Sequence, residues 1–424
     1  MHYRKLNKIK VAHLSYGDGH GGGQKAALRI HLSLKKLNNI FSKLYVIKKK
    51  TNHSETFKIN SNILFKFQRF IIEKIVNLPK LFFFTNKMTS SSSIYNNGWD
   101  KFFNSSNFDI INLHWINRET ISIEEIGRIN KPIVWSLHDM WAFCGGENIS
   151  ENKRYIYGYN KKNMPSNERG FDFNRWLWNR KLKNWKNNIN LVVPSRWLFK
   201  CVKSSMLMKN FNTTIIPYPL KKDLWKIMDK SQCKKTLNLS VKFDYILIVM
   251  SYGEDGWKGG DLFLNTLNYL KQIKFKNFQI ILLGNPSKEF KLNLGSHGFE
   301  VHDYGYVDDI QKQKTIYNAS ELVVVPSRYD NLPMVAIEAS FCGLPIVAFN
   351  VCGLKDLVIH KKTGWLAKPF NIKDLADGII YILSNNKIKK RMKNISRLKA
   401  IEKYDEDKIA KKYVKFYRKI LKFS

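Results

Sequence analysis

Short apolar runs alternate with longer amphipathic stretches along this chain, and that alternation narrows the fold to parallel sheets joined by crossover helices. Residues 9–15 read as a first strand. A glycine cluster follows at Gly17, Gly19, Gly21, Gly22 and Gly23, and residues 24–37 read as a helix. Further strands are expected at 43–50, 109–115, 132–138 and 190–194. A second series starts at 245–251 and continues at 278–283, 321–326 and 345–350. Between the two series, residues 217–223 hold two prolines and two lysines with no clear period, which marks an interdomain linker. A chain of 424 residues is also too long for one ordinary core. The sequence therefore predicts an α/β protein of two parallel-sheet domains, residues 1–217 and 218–404.

Two segments fit neither sheet. Residues 63–85 place Leu64, Phe67, Ile71, Ile75 and Leu78 at helical spacing among Lys66, Arg69 and Lys74. Residues 173–190 place Trp178, Leu182, Trp185 and Ile189 on one helical face, flanked by Arg175, Arg180, Lys183 and Lys186. Each segment is either a helix packed on the first domain or a basic, aromatic face for lipid headgroups. The net charge of +38 attracts polyanions, whether it was selected or reflects drift in a chain rich in Lys, Asn and Ile throughout. No uncharged stretch is long enough to span a bilayer and no apolar signal segment opens the sequence, so a cytoplasmic location is expected. Five scattered cysteines without a C-x-x-C pair support neither a disulfide framework nor a zinc site.

Chemistry concentrates at residues 326–338, PSRYDNLPMVAIE, which follow an apolar strand. That puts them at a strand's carboxyl end, where open α/β sheets bind ligands. Pro333 suits the first turn of a helix, and first-turn amides favour a pyrophosphate. Asp330, before that helix, can accept from a sugar hydroxyl. Glu338, about a turn and a half into it, can accept from a vicinal diol such as a ribose. The glycine loop spells G-x-G-x-x-G at Gly17, Gly19 and Gly22. A dinucleotide fold wants an acid at the end of the next strand, which here ends in Lys48, Lys49 and Lys50. Walker A also fails, because Gln24 precedes Lys25 and Ala26 follows it. Asp405-Glu406-Asp407 has a D-x-D form but reads as a solvated helix start in a basic tail.

Residues 326–358 resemble the donor-site signature of glycosyltransferase family 4, with Asp330 where many members carry Glu, as in the bacterial exopolysaccharide, colanic-acid-type branch. The likeness continues through Lys362-Thr363-Gly364-Trp365-Leu366. Trp257-Lys258-Gly259-Gly260 is similar to the family's Lys-Gly turn, although residues 250–255 lack the family's frequent arginine. Residues 109–115, DIINLHW, and 137–146, LHDMWAFCGG, look like the same branch. Only Cys144 stands there, where relatives often carry several cysteines. The resemblance covers nearly the whole chain and is looser between residues 50 and 100.

The resemblance implies a GT-B fold, two Rossmann-like domains facing across a cleft, with a last helix, 405–424, returning to the first domain. It implies a retaining transferase that moves a sugar from a nucleotide-sugar to a glycan or lipid-linked acceptor in surface polysaccharide biosynthesis. Lys258 would bind the donor diphosphate, with Asp330, Asn331, Leu332, Met334 and Glu338 completing the donor site. His138 and Asp330 would be catalytic, and Gly22 and Gly23 would form an acceptor or phosphate loop. No metal and no cofactor is expected, since Lys258, the helix amides and Arg328 would offset the leaving diphosphate's charge. Peripheral contact with an anionic membrane, on the inner face of the plasma membrane, would suit a lipid-linked acceptor. Two alternatives stay open: a basic nucleic-acid-binding protein, although no RNP, helix-turn-helix or zinc pattern is present, and a sugar-nucleotide epimerase on the same fold. The donor's sugar and base, the acceptor, the linkage and the oligomeric state are not written in the sequence.

Overall fold

The structure, a computed structural model, describes residues 8–19, 21–58, 71, 91–185, 188–249 and 256–422. The chain divides into two units, Met1–Pro219 with Asp407–Ser424, and Leu220–Glu406. Among the described residues, no helix is long and apolar enough to cross a membrane.

In the first unit, β1 (Ile9–Gly17), β2 (Ile40–Lys48), β3 (Thr56–Lys58), β4 (Ile110–Leu113), β5 (Ile133–Ser136), β6 (Ile189–Val193) and β7 (Thr213–Ile215) form one sheet. Its order is β3-β2-β1-β4-β5-β6-β7, and every neighbouring pair is parallel. Strands covered on both faces are mostly apolar, as in IINL of β4 and IVWS of β5, all buried, whose two polar side chains, Asn112 and Ser136, hydrogen-bond each other at 3.1 Å. One face is covered by the helix Glu406–Leu421, whose Ile409, Tyr413, Tyr417 and Ile420 recur at helical spacing and pack on Val11, Ile110, Val134 and Val192. Its buried phenols are satisfied: Tyr413 hydrogen-bonds Ser136 at 3.1 Å and Tyr417 the Asn112 side chain at 2.6 Å.

The second unit holds β8 (Asp244–Val249), β9 (Phe278–Leu283), β10 (Val301–Asp303), β11 (Leu322–Val325), β12 (Ile346–Phe349) and β13 (Gly364–Ala367). The order is β10-β9-β8-β11-β12-β13, again all parallel. Its core joins Ile246, Ile280, Val324 and Val347 of the sheet to Phe263, Leu267 and Ile379 of the helices. In each sheet the strand order reverses once, between β1 and β4 and between β8 and β11. Loops leaving the carboxyl ends of strands at such a reversal diverge and leave a crevice for ligands.

Four strands escaped the sequence pattern: β3, β7, β10 and β13. All are sheet edges three or four residues long, half-covered and therefore weakly apolar. Strand β2 begins three residues earlier than expected, at Ile40. The helix expected over 173–190 spans Phe173–Asn184, and Ile189 belongs to β6. Its buried face is Phe173, Asn174, Leu177, Trp178 and Lys181, while Leu182 is 52% exposed. Trp178 and Trp185 are core residues, which removes this segment as a lipid-facing surface. The other candidate for that role, residues 63–85, lies outside the described residues but for Ile71. Asp405, expected in solvent, is buried and paired with Lys222 at 3.4 Å.

Candidate active site

In the second unit the loops after β8 and β11 are bound to each other at the strand-order reversal. The amide of Arg328 donates to the Trp257 carbonyl at 2.8 Å, and the loop after β12 joins them where the Gly353 amide donates to the Asp330 carbonyl at 3.0 Å. Gly353 is required there by close approach: a Cβ at this position would stand 1.4 Å from the Asn331 carbonyl oxygen. Lys258, on the first loop, donates to Asp330 Oδ2 on the second at 2.8 Å, so two residues picked 72 apart in sequence form one ion pair. The Lys258 side chain keeps 38% of its surface exposed and Asp330 only 12%.

Pro333 caps the helix Met334–Phe341 with φ −65°, and its carbonyl accepts from the amides of Ala336 and Ile337. The amides of Met334 and Val335, ahead of them, carry no hydrogen bond to the described residues, so the positive end of the helix is open to an anion. Asn331, Leu332 and Met334 are buried around this turn. Glu338, one turn deeper and also buried, accepts from the Tyr317 hydroxyl at 3.1 Å. Arg328 is committed elsewhere. Its guanidinium forms a two-point pair with Asp261, at 2.7 and 2.5 Å, and donates to the Gly256 carbonyl. Its fork is filled by a structural partner, contrary to the expectation that it faces a diphosphate.

In the first unit the glycine loop closes on the reversal between β1 and β4. Asp18 ties it to the end of β2 by accepting from the Lys50 amide at 2.7 Å and the Thr51 hydroxyl at 2.6 Å. The helix Gly22–Lys35 starts inside the cluster. A Cβ on Gly23 would lie 3.2 Å from Trp115 Cβ and 3.3 Å from His138 Cγ, so any side chain here would press Trp115 and His138 back by a few tenths of an ångström. His138 follows β5. Its Nδ1 hydrogen-bonds the Tyr218 hydroxyl at 2.9 Å, and its ring stacks between those of Tyr218 and His114. Behind it, His13 and His114 share a 2.8 Å hydrogen bond in the core. Burial pulls His138 down to about 3 and holds His13 and His114 well below the usual imidazole range, so all three are neutral at pH 7. Asp139 accepts from Trp115 Nε1 and the Trp141 amide, and burial raises it to about 6.

Residues 326–334 and 256–259 thus frame one site in the second unit, and Gly23 and His138 meet in the first. Residues 230–399 match the family described as Glycosyl transferases group 1. That match lies within the second unit, Leu220–Glu406. An uncharacterised glycosyltransferase of Haemophilus influenzae is 30% identical over 159 residues, 37% of this chain and 44% of the relative. The Campylobacter jejuni N,N'-diacetylbacillosaminyl-diphospho-undecaprenol alpha-1,3-N-acetylgalactosaminyltransferase is 28% identical over 209 residues, 47% of this chain and 52% of the relative. The chain thus spans about half the length of these curated relatives. Among solved structures, sucrose-phosphate synthase from Thermosynechococcus elongatus aligns with a TM-score of 0.68 at 18% identity, over 98% of this chain and 100% of that one. The fold is GT-B, with two parallel-sheet units.

In the first unit, sequence reasoning missed the residues that support His138. Lys181 is the most consequential. It is fully buried, and its ammonium donates to the carbonyls of Trp141, Cys144 at 2.9 Å and Gly145 at 2.6 Å while lying 3.7 Å from the centre of the Trp141 ring. One lysine thereby holds the loop that follows His138 and Asp139. A lysine on the same helical face as Leu177 and Trp178 was the available signal, and it reads as solvated unless the loop's carbonyls are known. His13 and His114 had a weaker signal, a histidine within the apolar run of β1 and one just past the end of β4.

Proposed function

We propose that this chain is a glycosyltransferase that moves a sugar from a nucleotide-sugar donor to a glycan or lipid-linked acceptor in surface polysaccharide biosynthesis. The observation that carries this reading is the Lys258–Asp330 pair beside the open helix amides at the β8/β11 reversal, with buried Glu338 behind them. The donor diphosphate takes the Lys258 ammonium and the amides of Met334 and Val335. Glu338 accepts from the ribose hydroxyls. Asp330, its charge partly released as Lys258 turns to phosphate, accepts from the sugar. The acceptor is held by the first unit, where the neutral His138 offers a hydrogen bond and Gly22 and Gly23 let the backbone come close.

The bond from the anomeric carbon to the diphosphate oxygen breaks with its electron pair going to the diphosphate, and the acceptor oxygen forms the new bond. Attack on the same face, through an oxocarbenium-like state, retains configuration and delivers the acceptor's proton to the departing phosphate oxygen. Lys258 and the helix amides stabilise the leaving charge without a metal. Support for a lipid-linked acceptor comes from the Campylobacter jejuni relative, whose name specifies a diphospho-undecaprenol substrate. Work at the cytoplasmic face of a membrane, as a peripheral protein, fits that acceptor.

A thermal-shift panel of UDP-, GDP-, ADP- and CMP-sugars tests the reading, because a true donor stabilises the fold by mass action. One nucleotide class should raise the melting temperature, and transfer with that donor should survive excess EDTA and give a product of retained configuration. Failure of every donor argues against a transferase. Loss in EDTA with recovery on manganese contradicts the charge assignment to Lys258. Donor epimerisation without acceptor favours the epimerase.

A further inference from the structure

Away from both strand-order reversals, the first unit carries an open groove of about 950 Å³ between the helix Glu406–Leu421, the edge strand β7 and the residues just before β2. It reaches Asn39 and Asn212, at the amino ends of their strands, whereas the glycine loop and His138 lie at carboxyl ends. Lys411, Lys412, Lys415, Arg418, Lys419 and Lys422 line it, and among the described residues no Asp or Glu does. All six are exposed, and none has an ion-pair partner among the described residues. They run in one stripe at helical spacing, directly opposite the buried Ile409, Tyr413, Tyr417 and Ile420. Like charges at such spacing repel and weaken an isolated helix, so only the packed face keeps this one folded. The floor is apolar: Leu37, Ile215, Ile216, Val414 and Phe416.

We propose that this groove is the protein's docking surface for an anionic phospholipid bilayer, with headgroup phosphates on the lysine stripe and the glycerol region against the aliphatic floor. Six exposed cations with no acid among the described lining residues specify a polyanion. The floor selects lipid over nucleic acid. The one aromatic ring among its described residues, Phe416, is 7% exposed and offers no open face on which a base can stack. The inference rests on the reading above for its purpose, a lipid-linked acceptor, but not for its test.

The test is co-sedimentation of the full chain with vesicles of phosphatidylcholine alone and of phosphatidylcholine with about one-third phosphatidylglycerol. The chain should bind the anionic vesicles and be released at high salt. Charge reversal at four positions, Lys411→Glu, Lys415→Glu, Arg418→Glu and Lys419→Glu, should cut partitioning by at least about tenfold, since each basic residue near an anionic surface contributes on the order of a fivefold gain. Reversing four exposed lysines of the second unit, Lys271, Lys274, Lys276 and Lys288, should change it far less. Should the first reversal unfold the chain, the corresponding Gln variants replace it. Equal loss in both variants, undiminished binding in the first, or binding to random-sequence RNA but to neither vesicle would overturn the proposal. Donor thermal shifts on the same proteins separate the two claims: the groove variant should keep them, and their absence from wild type strikes at the transferase reading alone.

Discussion

Four imidazoles sit close together in the first unit: His31 lies edge-on to His13 with ring centroids 5.7 Å apart, His13 bonds His114, and His114 stacks on His138. Burial lowers each, His31 and His138 to about 3, while the unfolded chain titrates near 6.5. Between those values the unfolded state binds more protons, so stability falls as pH drops below about 6.5. Asp139 acts in the opposite sense. Raised to about 6, it favours the protonated fold and loses that contribution as pH climbs through 6. Four lowered imidazoles against two raised carboxyls, Asp139 and the buried Glu147, predict a lower urea midpoint at pH 5 than at pH 7, a comparison that leaves the ordinary carboxylates largely ionised. An equal or higher midpoint at pH 5 would mean that the stack is solvated or already protonated.

Two elements set the geometry of the sites. On the helix Phe173–Asn184, Lys181→Met should strand three buried carbonyls, at a cost of about 3 kcal/mol or more, while leaving donor binding in the second unit unchanged. Calorimetric unfolding read beside donor titration checks both halves of that expectation. At the start of the helix Leu354–Leu357, Gly353→Ala forces a methyl against the Asn331 carbonyl. We expect both readouts to move: a loss of about 1–3 kcal/mol with a shifted donor loop and weakened donor affinity. The central strands and the motif-bearing loops were legible in the sequence because continuous burial writes an unbroken apolar run and a strand-end loop writes Gly, Pro and acid. The edge strands were not, since one free side dilutes the pattern. Lys181 was opaque for a different reason. Its partners are backbone carbonyls of a loop some 40 residues earlier, and carbonyls have no letter in a sequence.

Over the whole molecule, legibility follows the same division as the comparisons. The family match falls within the second unit, at residues 230–399, where Lys258, Asp330 and Glu338 were identified from their motif and found around one strand-order reversal. In the first unit the glycine loop and His138 were placed correctly at strand ends, but the network behind them emerged only from packing. The account as a whole stands on the second unit binding a nucleotide-sugar through these residues. Titration calorimetry of the stabilising nucleotide-sugar into wild type and Glu338→Gln tests that most directly. The variant should keep its fold, because the amide still accepts from Tyr317, and should bind the donor about 1–3 kcal/mol more weakly, for the loss of a charged acceptor to the ribose. Wild-type affinity in a folded Glu338→Gln protein would contradict the account.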